Sequence, residues 1–181
     1  MTPRSSSELL AKLRERVNLN LAAGERLRAL PDEQLNRRAA PKSWSALEAI
    51  EHLNRYGDFY HPAFATAIDG ASGPVGETFT SSWLGNKFAA GMKPGPKTRK
   101  VKTFPSKNPL GSQLDRGVLD TFVEQQRQLL ALLDRAATVD LTRTRVPTTL
   151  SRFVNLRLGD GLRTIIYHDW RHTEQALRAA G

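Results

Sequence analysis

A chain of 181 residues, 39% hydrophobic and 25% charged, is long enough to bury one core without covalent staples and has the make-up of a soluble globular domain. It contains no cysteine, which excludes a disulfide framework, a zinc–thiolate site, an iron–sulfur cluster and a cysteine nucleophile. The net charge of +9 is concentrated in one stretch: Lys87, Lys93, Lys97, Arg99, Lys100, Lys102 and Lys107 lie between Glu77 and Asp115 with no acid among them, leaving +2 for the rest, so the basicity belongs to a loop and not to a basic fold.

The first residues, Met1-Thr2-Pro3-Arg4-Ser5-Ser6-Ser7-Glu8, lack the apolar stretch of a signal peptide, and no segment has the roughly 18 consecutive apolar residues of a membrane span. The expectation is a cytoplasmic protein. Residues 7–30 read as a helix, with Leu9, Leu10, Leu13, Val17, Leu21 and Leu27 at spacings of three and four and Pro31-Asp32 as its stop. A second helix is expected over 43–69. Ser45 and Glu48 have the spacing of a capping box, and Gly70 with Gly73-Pro74 ends the run.

Between Gly70 and Gly111 the periodicity fails; five of the ten prolines fall here, and only residues 81–91 suggest a short helix. A third helix is expected over 112–137 on the stripe Leu114, Val118, Phe122, Leu129, Leu132 and Leu133. Residues 147–158 read as irregular or briefly extended. The last helix opens at Gly159-Asp160, with Asp160 as its N-cap, and runs to about residue 180 through Leu162, Ile165, Ile166 and Ala176. Four long amphipathic helices with almost no strand signal predict an all-α fold, a single four-helix bundle domain over residues 1–181 with a long basic loop between helices two and three.

Chemistry concentrates in the histidines. His168 and His172 are four residues apart on one helix, about 40° from each other around its axis, so both imidazoles can point at one centre. Both join the inward side defined by Ile165, and His52 falls beside Ala49, Tyr56 and Phe59 on the apolar side of the second helix. A metal on all three would keep an open coordination position. The zinc-protease pattern needs Glu directly after the first His, where this chain has Asp169, and the Glu-x-x-His pairs of a di-iron bundle are missing. His61 precedes Pro62 without a partner at useful spacing and is read as structural. Glu48, four residues before His52, either orients that histidine and moves its proton or simply caps the helix. Tyr56 is a similar candidate, competing with a core role. Asp169 and Arg171 are expected to face away from the ligands.

The segments Trp44-Ser45-x-x-Glu48-x-x-x-His52-Leu53 and His168-x-x-x-His172-x-x-Gln175 together resemble the DinB/YfiT-like family. Leu158-Gly159-Asp160-Gly161-Leu162 is similar to that family's entry to its last helix, and the run from Trp83 to Pro94 to one of its branches. The resemblance spans essentially the whole chain. It implies a four-helix bundle holding a divalent metal, commonly zinc or nickel, on three histidines, here His52, His168 and His172. Characterised relatives use a low-molecular-weight thiol such as bacillithiol or mycothiol in transferase or isomerase reactions, and many members have no known activity.

The expected function is a metal-dependent enzyme, a thiol-dependent transferase or a hydrolase, in which a metal-bound thiol or water loses its proton. The alternatives are a non-catalytic metal-binding bundle and, less favoured, a nucleic-acid-binding accessory protein using residues 93–107. The basic loop points to an anionic small-molecule substrate. Trp83 and Phe88 either cover the metal end of the bundle or pin the loop to the core. Family resemblance and the exposed sides of a bundle point to a homodimer. Imidazole suits zinc, nickel, copper and iron alike, so spacing does not name the metal.

Overall fold

Four long helices form where apolar residues recur every three or four positions, and local caps set their ends. The computed structural model of the protein describes residues 1–95, 103–151 and 153–181. Helix α1 (Ser6–Arg28) starts at Ser5, whose hydroxyl accepts from the Glu8 amide. After α2 (Asp32–Asn36), a short turn that the stop signal at Pro31-Asp32 had concealed, α3 (Ala46–Asp69) begins at a complete capping box. There the Ser45 hydroxyl accepts from the Glu48 amide and the Ser45 amide donates to Glu48 Oε2. Helix α4 (Trp83–Met92) follows, then a 3-10 turn over Pro105–Lys107, α5 (Gly117–Ala136) and α6 (Leu158–Ala180).

Helix α3 packs on α5 and α6, and α1 packs on the same two, so the four long helices surround one interior in the cyclic order α1, α5, α3, α6. Two apolar clusters fill it. One joins Leu13, Val17, Phe64, Leu129 and Ile166; the other, nearer the start of α3, joins Leu27, Leu35, Leu47, Ile50, Phe122 and Ala176. Among the described residues no helix is long and apolar enough to cross a membrane.

Small sheet elements that periodicity did not reveal tie the ends together. Strand β1 (Arg4–Ser5) pairs antiparallel with β2 (Thr78–Phe79), and β3 (Arg145–Pro147) with β4 (Asn155–Arg157). Strand β4 runs directly into α6, which changes the expected start of that helix. Asp160 is not its N-cap. Leu158 and Gly159 donate their amides to the Thr144 and Leu141 carbonyls, so the first turn is satisfied by backbone. The fully buried Asp160 carboxylate instead accepts from the Ser81 hydroxyl, from the Ser82 amide and hydroxyl, and from Arg163. These bonds fasten the start of α4 to α6, and Arg163 extends them to Asn86. Phe88 packs on the core, whereas Trp83 is 72% exposed.

Candidate metal centre

The capping box fixes where α3 begins, and His52 follows one turn after Glu48, facing α6. Its partners His168 and His172 lie one turn apart on that helix. The three residues offer nitrogen atoms that all lie within 4.8 Å of one another. His52 Nε2 and His168 Nε2 are 3.1 Å apart, and the three ring centroids are separated by 4.7–5.0 Å. With metal–nitrogen bonds of about 2.0–2.1 Å, tetrahedral ligands stand about 3.3 Å apart. One pair is already near that separation. Three convergent imidazoles therefore fit a borderline divalent ion, and the donor set leaves a coordination position for a further ligand.

Aromatic rings flank the cluster. The Trp44 ring lies 4.7 Å from His52 and 5.7 Å from His172; Tyr56 stands edge-on at 5.0 Å from His52 and 4.8 Å from His168. Burial keeps all three imidazoles neutral, the form that coordinates. Desolvation pushes His52 down to about 4; the Lys107 carbonyl opposes this, and the Arg55 and Lys107 charges add to it. Desolvation, then the neighbouring His52, takes His172 to about 3, against the pull of Gln175. His168 is also held well below the ordinary imidazole range, first by burial and then by its two histidine neighbours.

Two outer nitrogens are held. His52 Nδ1 donates to the Lys107 carbonyl oxygen at 2.7 Å, and His172 Nδ1 pairs with Gln175 Oε1 at 2.8 Å. An acceptor at each Nδ1 places the proton there and leaves the Nε2 lone pair facing the centre. His168 Nδ1 is buried and has no hydrogen-bond partner among the described residues.

Glu48 stands close in sequence but is occupied otherwise. Its carboxylate, 1% exposed, accepts from the Ser45 amide, from Arg38 through both oxygens at 2.9 and 2.6 Å, and from the Gly111 amide at 2.6 Å. Burial pushes its pKa up, but Arg38 and the Ser45 and Gly111 amides outweigh that and hold it below the ordinary value. No hydrogen bond joins it to His52 among the described residues. Asp169 turns away from the nitrogen cluster yet into the interior, where its buried carboxylate accepts from Gln126 Nε2 and is pushed up to about 7 by desolvation. Arg171 donates to the Gly91 carbonyl on α4. His61 lies buried farther along α3, its pKa lowered by burial.

Of the basic loop, Lys97, Arg99, Lys100 and Lys102 fall outside the described residues. Lys87 lies over Trp83, Lys93 over Tyr167, and Lys107 over Tyr56 while donating to the Arg55 carbonyl. The contributors that sequence reasoning missed are Lys107, through its backbone, and Asn108, which accepts from the Trp44 indole. A backbone carbonyl leaves no trace in residue identity. Gln175 stood in the motif, without a role assigned to it.

A family model, that of the DinB superfamily, matches residues 22–176. No curated protein and no solved structure gives a match.

Proposed function

Because this chain belongs to the DinB superfamily, we propose that it is a four-helix bundle of the DinB/YfiT-like type that binds one divalent ion, zinc or nickel, and acts as a thiol-dependent transferase or a hydrolase. The observation that carries the reading is the convergence of His52, His168 and His172 from two helices, with neutral rings and two of the outer nitrogens held. What a bound ion supplies is a lowered pKa for a coordinated thiol or water, giving a nucleophile at neutral pH.

The chain's own residues do the rest. The Lys107 carbonyl and Gln175 orient two of the ligands. Trp44 and Tyr56 wall the cluster and limit water around it. The Arg55, Lys107 and Arg171 charges all act on the histidines, a positive field that suits an anionic small-molecule substrate. Since the chain has no cysteine, any thiol arrives with a co-substrate. Glu48 serves as a structural anchor and not as the proton carrier, because its oxygens already accept four hydrogen bonds.

One observation favours a second reading, a bundle that binds metal without catalysis. Among the described residues, the metal-type ligands gathered at the centre are histidines alone, so no carboxylate base stands beside them. Metal analysis of protein purified without a nickel column tests the common ground: about one ion per chain is expected, lost in His168→Ala. A wild type that is metal-free and cannot be loaded refutes both readings. With loading established, product formation from an electrophile plus a low-molecular-weight thiol, or from an ester or amide with water, separates enzyme from binder.

A further inference from the structure

Residues 104–111 contain Pro105, Pro109 and Gly111, the last at φ +82, a left-handed conformation that suits glycine. This stiff segment lies along one stripe of residues that runs from just before α3 into its third turn: Trp44, Glu48, His52 and Arg55. Each member of the stripe bonds to it. The Trp44 indole donates to Asn108 Oδ1 at 3.1 Å, and the Leu110 amide donates to the same oxygen at 3.2 Å. Glu48 accepts from the Gly111 amide, His52 donates to the Lys107 carbonyl, Arg55 donates to the Asn108 carbonyl at 3.2 Å, and the Lys107 ammonium donates back to the Arg55 carbonyl.

The consequence falls on His52. A carbonyl can only accept, so the Lys107 oxygen dictates which nitrogen of His52 carries the proton and in which direction the other points. The position of that oxygen depends in turn on its neighbour. Asn108 is held by its side chain to Trp44 and by its backbone to Arg55, on either side of His52 along the stripe.

We propose that residues 107–111 form a strap that sets the metal affinity of the histidine centre, with Asn108 as its positioning residue. The proposal rests on the metal-binding reading above. Binding and order are then linked: an ion on His52 stabilises the docked strap by the same factor that the docked strap strengthens binding. The amides of Leu110 and Gly111, donated to Asn108 and Glu48, report that order directly.

The test is cobalt(II) titration of the chelator-stripped full chain, read by its visible absorption, alongside amide hydrogen exchange. Asn108→Leu, which loses the acceptor, is expected to weaken cobalt binding by about 10- to 100-fold while keeping one ion per chain. Asn108→Asp, which keeps the acceptor, is expected to stay within about threefold of wild type, a rescue that general destabilisation would not give. Cobalt should slow exchange at Leu110 and Gly111 in the wild type and leave it unchanged in Asn108→Leu. Equal affinity of Asn108→Leu and wild type, or no slowing in the wild type, overturns the proposal. Should Asn108→Leu fail to fold, Trp44→Phe removes the indole donor while keeping an aromatic ring beside His52 and His172: several-fold weaker binding together with loss of the cobalt-induced slowing at Leu110 and Gly111 supports the strap, and wild-type affinity or unchanged slowing overturns it. A wild type that takes up no cobalt sinks the metal reading together with the strap, whereas wild-type uptake with an indifferent Asn108→Leu sinks the strap alone.

Discussion

Two glycines on α4 are expected to respond to the same substitution with opposite signs. A Cβ built on Gly85 lies 2.2 Å from Asp160 Oδ2, 2.3 Å from its Cγ and 2.5 Å from its Cβ. Such a contact is cheap only where the neighbour can swing aside, and Asp160 cannot. Its carboxylate is fully buried and held by Ser81, Ser82 and Arg163, so α4 itself must move off α6. Overpacking of this kind costs about 1–3 kcal/mol. Gly91, six residues along the same helix, meets nothing within 4 Å among the described residues. There alanine gains helix propensity and restricts the unfolded chain, a stabilisation of about 0.4–1 kcal/mol. For a domain of this size, 1 kcal/mol moves Tm by about 2–4 °C. Thermal unfolding followed by circular dichroism should therefore show Gly85→Ala lowered by about 2–12 °C and Gly91→Ala raised by about 1–4 °C. A Gly85→Ala protein as stable as wild type, or shifts of the same sign at both positions, would refute the packing argument.

Glu48 ties stability to pH. Its folded pKa lies below the ordinary 4.5 because Arg38 and the Ser45 and Gly111 amides outweigh desolvation, so its contribution is present above about pH 4.5 and fades as pH falls through the lower folded value. The Tm difference between wild type and Glu48→Gln, measured at a series of pH values, should be largest near neutrality and shrink in acid; a difference that grows in acid contradicts the assignment. At the other held ligand, Gln175→Leu removes the acceptor at His172 Nδ1, and cobalt affinity is expected to fall by about tenfold, while Gln175→Glu, which keeps an acceptor, stays close to wild type.

The parts of this protein that were legible in its sequence are the parts governed by near neighbours along the chain. Helical periodicity, the Ser45–Glu48 capping box and the four-residue spacing of His168 and His172 each depend on residues within a turn or two. Misreadings occurred where a local signal competed with a distant partner. Asp160 has the identity and position of an N-cap, yet the carbonyls of Leu141 and Thr144 satisfied that helix start and freed its carboxylate to hold α4. Asp169 faces away from the two ligands as its position on α6 implies, but that its carboxylate meets Gln126, on the diagonally opposite helix α5, follows only from how the bundle closes. Pairing of β1 with β2 joins residues more than seventy positions apart over two residues each, too short for any periodic signal.

Residue chemistry and helical geometry alone fix the helices, the lack of thiol ligands and the inward placement of His52, His168 and His172. That His52 meets His168 at 3.1 Å, and that a backbone carbonyl at Lys107 orients its ring, comes from the packing of distant segments. Contacts between helices are made by whichever atoms packing brings together, and a main-chain oxygen is the same atom in every residue.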